Sequence, residues 1–136
     1  MPEYVVHRTT LALNDRSKAV KGSKILLLGL AYKADVDDMR ESPTFELLDR
    51  LAALGADVSY YDPHLPEIGP TREHAKWQGF KSISWSEANI RSYDAVLIST
   101  HHLAYDLNQL AAWADLIIDT RNAMAGIPGP AIVVKA

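Results

Sequence analysis

A chain of 136 residues is the length of one domain and can bury a real core without staples. Its 48% hydrophobic and 23% charged residues are ordinary for a folded globular domain. The net charge of −3 gives no broad basic field for nucleic acid or an anionic membrane, so any phosphate must be held by a few local cations and backbone amides. The lack of cysteine excludes disulfides, thiolate metal sites and a cysteine nucleophile within this chain. No signal-peptide pattern and no span of about 18 apolar residues is present, so the expected address is cytoplasmic.

The opening "MPEYVVHRTTLALNDRSKAV" reads as a helix, with Pro2 near its first turn and Val5, Val6, Thr9 and Leu13 roughly on one face. Lys21-Gly22-Ser23 is its expected end. Next, "KILLLGL" is a continuous apolar run, the pattern of a strand buried on both faces of a parallel sheet. A long loop follows, then a helix with Ser42 as N-cap and Pro43 at its first position. Phe45, Leu47, Leu48, Leu51 and Leu54 form its apolar stripe, and Gly55 is placed to end it. "ADVSYYDP" is a second strand closed by Pro63, completing a β-α-β unit with a right-handed crossover.

The stretch from Pro63 to Ser82 is irregular; it is expected to cover an edge or to carry a short strand near "FKSI". "SEANIRS" reads as a brief helix from Ser86, and "YDAVLIST" as another buried strand. "DLNQLAAWA" is a helix in which Asp106 and Gln109 have capping-box spacing. "DLIIDTRN" and "AIVVKA" supply two further strands. Strands alternating with helices in this way give an open α/β sheet.

In such a sheet, ligands bind beyond the carboxyl ends of the strands, where strand order reverses. Ala31-Tyr32-Lys33, Thr100-His101-His102 and Thr120-Arg121-Asn122 leave strands at that edge. Lys33 is a compact charge suited to phosphate, and Arg121 offers a planar fork. The helix start at Pro43 adds backbone amides. A lone cation at a strand end is usually solvated; two on one edge point to an anion. Asp35, Asp37, Asp38 and Glu41 lack the glycine and terminal glutamate of a calcium loop. His101-His102 reads as a polar strand-end pair, not a metal pair. Asp62 occupies the place of a ribose-binding acid, but before Pro63 it reads as turn chemistry. Trp77, Trp85 and Trp113 read as packing.

The stretches "GLAYKADVDDMRESP", "LLDRLAALGADVSYYDPHLP", "DAVLISTHH" and "IIDTRN" together resemble the C-terminal, UDP-binding domain of the UDP-glucose/GDP-mannose dehydrogenase family. The loop wording looks most like the members acting on UDP-N-acetylhexosamines, UDP-N-acetylglucosamine 6-dehydrogenase among them. The resemblance implies a Rossmann-like, mostly parallel sheet with helices on both faces over residues 23–136. Residues 1–22 would be a linking helix from a central helical domain.

It further implies oxidation of C6 of a nucleotide sugar to a uronate in two NAD-dependent steps. NAD would be held mainly by an N-terminal domain, and a homodimer would form through the central helices. Carried over by position, Lys33 would contact the UDP phosphates, Tyr32 would lie near the uridine and Arg121 would line the same site. Arg40 would reach the NAD pyrophosphate. The family's cysteine nucleophile and glycine-rich NAD loop have no counterpart in this chain, so on this reading it is inactive alone. Two other readings stand beside it: a stand-alone nucleotide-binding or regulatory module, and a domain serving assembly only.

Overall fold

The computed structural model describes residues 2–30, 43–70, 75–102 and 104–136. In chain order the elements are α1 (Pro2–Asn14), β1 (Lys24–Leu28), α2 (Pro43–Ala53), β2 (Asp57–Tyr61), a 3-10 turn (Ala75–Trp77), α3 (Glu87–Arg91), β3 (Ala95–Ile98), α4 (Leu107–Trp113), β4 (Leu116–Asp119) and β5 (Ile132–Lys135). The strands form one sheet in the order β2-β1-β3-β4-β5, and every neighbouring pair is parallel. This is the expected Rossmann-like α/β architecture. Order reverses between β1 and β3, which fixes the switch point there.

The continuous apolar runs are explained by cover on both faces. Ile25, Leu27, Ala95, Leu97, Leu116 and Ile118 face α1 and α2, while Leu26, Leu28, Val96, Ile98 and Ile117 face α3 and α4. Residues Ile25 to Leu28 are fully buried, and each such side chain contributes about 1.5–3 kcal/mol through burial. The outer strands are different. Only Tyr60 of β2 is fully buried, and in β5 Ile132 and Val133 remain exposed, because the sheet ends there.

Four local features depart from the sequence reading. First, α1 stops at Asn14, well before Lys21-Gly22-Ser23. Ser17 takes a left-handed φ of 60°, and its amide and that of Lys18 bond to the carbonyls of Asn14 and Leu13. That is a Schellman close with serine in the usual glycine place. Second, Leu54 is 48% exposed, because Gly55 closes α2 by the same pattern before the stripe can continue. Third, the strand near "FKSI" is reduced to a single antiparallel bridge between Glu67 and Lys81. The segment does cover the outer edge of β2: the Ile83 amide donates to the Tyr60 carbonyl at 3.0 Å. Fourth, Asp106 caps α4 by accepting from the Gln109 amide, but the Gln109 side chain turns away to accept from the Trp85 indole at 2.9 Å.

Candidate anion site at the carboxyl edge of the sheet

Two of the three strand exits expected at the carboxyl edge lie within the described residues, and both are there. The third exit, with Tyr32, Lys33 and Arg40, lies outside the described residues, as do Asp35, Asp37, Asp38 and Glu41.

The exits of β1 and β3 touch. Gly29 has φ +95°, and a Cβ on it would stand 2.5 Å from the Thr100 Cβ and 2.8 Å from the Thr100 backbone. Only glycine permits that approach. The Gly29 carbonyl accepts from the Thr44 hydroxyl, in the first turn of α2, at 2.8 Å. Thr44 Oγ1 lies 2.6 Å from Ser99 Oγ. Since Thr44 gives its one proton to Gly29, Ser99 is the donor in that contact. A buried hydroxyl pair thus binds the start of α2 to the ends of β1 and β3.

Arg121 is built into this edge from the next strand over. Asp119, the buried last residue of β4, accepts the amides of Arg121 and Ala123 on Oδ1 and that of Met124 on Oδ2. Asn122 completes the tight turn with φ 56°, a conformation that asparagine tolerates. The Thr120 hydroxyl donates to the Ile98 carbonyl, and Arg121 Nε donates to the Ser99 carbonyl at 2.8 Å. The guanidinium therefore reaches from the end of β4 back over the end of β3, towards the switch point. Its Nε is engaged, and its position is fixed before any ligand arrives. A hollow of about 540 Å³ opens beside it, lined by Asp119, Thr120, Arg121, Asn122, Lys135 and Ala136. That hollow lies on the β4–β5 side of Arg121, so the cation stands between it and the switch point.

Asp62 is more than a turn residue. Its Oδ1 accepts from the His64 amide at 2.8 Å, which is the expected turn chemistry before Pro63. Its Oδ2 accepts from the Leu30 amide at 2.8 Å and lies 3.0 Å from His102 Nε2. Asp62 and His102 are both buried. His101-His102 is thus not one polar pair: His102 is enclosed and joined to Asp62, while His101 is half-buried. The rings of His64 and Tyr105 both stand edge-on to that of His102, at 4.8 Å and 5.5 Å. The residues that sequence reasoning passed over here are Thr44, Ser99 and Asp119, and for His102 it missed the pairing with Asp62. The available signal was the run of polar residues following each buried strand.

The indole nitrogens of Trp77 and Trp85 are bonded to Asp49 and Gln109, in keeping with packing roles. Among the described residues, no three His, Cys, Asp or Glu side chains gather as metal ligands, and no helix is long and apolar enough to cross a membrane.

The family model for the UDP-glucose/GDP-mannose dehydrogenase family, UDP binding domain, matches residues 26–126. The chain is 39% identical over 116 residues to the UDP-glucose 6-dehydrogenase YwqF of Bacillus subtilis (strain 168), covering 82% of this chain and 26% of that protein. It is 30% identical over 102 residues to a UDP-N-acetyl-D-mannosamine dehydrogenase of Campylobacter jejuni, covering 74% of this chain and 23% of that one. A solved UDP-D-ManNAc dehydrogenase from Pyrococcus horikoshii shares the fold with a TM-score of 0.77 at 24% identity, over 98% of this chain and 30% of that one. The chain therefore spans about a quarter of the length of the curated relatives it matches.

Proposed function

The chain belongs to the UDP-glucose/GDP-mannose dehydrogenase family through its UDP-binding domain, and we propose that it supplies the UDP-recognising part of an NAD-dependent nucleotide-sugar 6-dehydrogenase. The observation that carries this reading is Arg121, held at the carboxyl edge by Asp119 and by the Ser99 carbonyl at the end of β3. A preset guanidinium can bind a diphosphate in two-point fashion. Lys33 and Tyr32, in the loop that follows β1, are proposed to complete the contact with the diphosphate and the uridine.

The stretch after β1 lacks the glycine-rich turn through which a dinucleotide's pyrophosphate approaches the backbone. We assign NAD to another part of the intact enzyme, with Arg40 reaching its pyrophosphate. The chain has no cysteine, so oxidation of C6 through a thiol intermediate is assigned elsewhere as well. The sugar is a UDP-hexose or a UDP-N-acetylhexosamine, and residues 1–22 are proposed to link this domain to the rest of a cytoplasmic, dimeric enzyme.

Calorimetric titration of the chain with UDP, with UMP and NAD as controls, tests the reading. UDP is expected to bind, UMP to bind much more weakly, and NAD to give no heat. Lys33→Ala is expected to cost about 1.5–3 kcal/mol of UDP affinity, the range for a charge-assisted hydrogen bond. Tight NAD binding, or no difference between UDP and UMP, would overturn the assignment. In the intact enzyme Arg40→Ala should raise KM for NAD more than KM for the sugar nucleotide; the reverse would move Arg40 to the substrate side.

A further inference from the structure

Asp62 and His102 are the one acid–imidazole pair that the structure buries completely among the described residues, and the proposed contacts to UDP do not involve them. Enclosing an ionisable pair yields little net stability, since desolvation offsets most of the attraction. What such a pair gives is a fixed geometry, and its place in the fold says which geometry. Asp62 ends the outer strand β2, yet its Oδ2 takes the Leu30 amide from the exit of β1 and faces Nε2 of His102 from the exit of β3. The other oxygen is held by the His64 amide, which sets the plane of the carboxylate. One carboxylate oxygen therefore spans the switch point.

Each of the two segments it joins bears on one of the cations. Leu30 leads directly into the loop of Tyr32 and Lys33. His102 closes the turn whose Ser99 carbonyl holds Arg121 Nε. Tyr105, whose amide bonds to the His102 carbonyl, also stands edge-on to the ring.

We propose that Asp62 and His102 are positioning residues for the proposed diphosphate site, holding the exits of β1 and β3 together so that the Ser99 carbonyl keeps Arg121 in place. The inference rests on the UDP reading above. A carboxylate only accepts hydrogen bonds, so the His102 proton is on Nε2, and imidazole nitrogen spectra of the chain should display a protonated Nε2.

The test compares His102→Leu with His102→Gln, whose amide donor falls near the place of Nε2. UDP affinity is read by calorimetry and folding by the thermal midpoint. Leucine is expected to weaken UDP binding by about tenfold or more, the equivalent of one misplaced charge-assisted contact. Glutamine is expected to restore affinity to within about threefold of wild type, because a donor again faces Asp62. Should the leucine variant fail to fold, Asp62→Asn serves instead: it keeps the shape but gives up one acceptor oxygen, and is expected to weaken UDP binding while leaving the chain folded. A folded leucine or asparagine variant that binds UDP like wild type would overturn the positioning role alone. A wild-type chain that binds no UDP would overturn both this role and the UDP reading.

Discussion

Arg121 and Lys33 are both cations at one sheet edge in the sequence, but the structure gives Arg121 a property that charge alone does not convey. Its backbone is fixed by Asp119 and its Nε by the Ser99 carbonyl. Lysine has no equivalent of a donor midway along a planar group, so it cannot both hold Ser99 and present two parallel donors. Arg121→Lys should therefore lose most of the UDP affinity that Arg121→Ala loses, about 1.5–3 kcal/mol. Titration of both variants decides this; a lysine variant that binds like wild type would reduce Arg121 to a point charge. The place of Arg121 at the sheet edge was legible because it follows an apolar run directly. The Asp62–His102 pair was not, because its members are 40 residues apart and meet only when β2, β1 and β3 are in register.

Secondary elements were legible where periodicity and punctuation agree, as in α2, bounded by Pro43 and Gly55. They were misjudged where an ordinary residue takes an unusual conformation. Ser17 closes α1 with φ 60°, a place where glycine is the common signal, so the sequence reading ran on to Gly22. The pair Ser17 and Gly55 gives opposite expectations. Ser17→Gly should relieve the left-handed strain of a residue with a Cβ and stabilise the chain by about 1 kcal/mol, raising the thermal midpoint by a few degrees. Gly55→Ala should destabilise it by about 1–2 kcal/mol, because φ is +94° and the new Cβ would stand 2.8 Å from Lys21 Cγ. Thermal unfolding of the two variants checks both signs. A destabilised Ser17→Gly would mean that the serine side chain contributes more than its backbone strain costs.

At the scale of the whole molecule, the alternation of strands and helices predicted the sheet, and the structure adds which charges join its separate parts. These set the pH window of stability. At the amino edge, Asp94 accepts from Lys18 Nζ and from the Lys24 amide, tying the segment after α1 and the start of β1 to the start of β3. Burial pushes its carboxyl up, but the Lys18 and Lys24 hydrogen bonds and charges together hold it below the usual value. A carboxylate lowered in the folded state binds fewer protons there. Its contribution is present above about pH 4 and is lost as pH falls through the folded value.

The alkaline side runs through Tyr60. Burial, then the charge of Asp62, raises its phenol well above the ordinary range. Between about pH 10 and that raised value the folded chain binds more protons than the unfolded one, so stability is full below pH 10 and falls as pH rises. Tyr61 is raised in the same direction, by burial first and then by Asp62, so it shares this limb. Tyr60→Phe should therefore do two things. At pH 7 it should cost about 0.5–1.5 kcal/mol, because the Leu65 carbonyl loses its hydroxyl partner. Above pH 10 its stability should fall less steeply than that of wild type, leaving the Tyr61 share. Urea unfolding of both chains at pH 7, 10 and 11 reads the two effects separately. Parallel alkaline slopes would assign the loss to Tyr61 and would mean that folding does not raise the Tyr60 phenol.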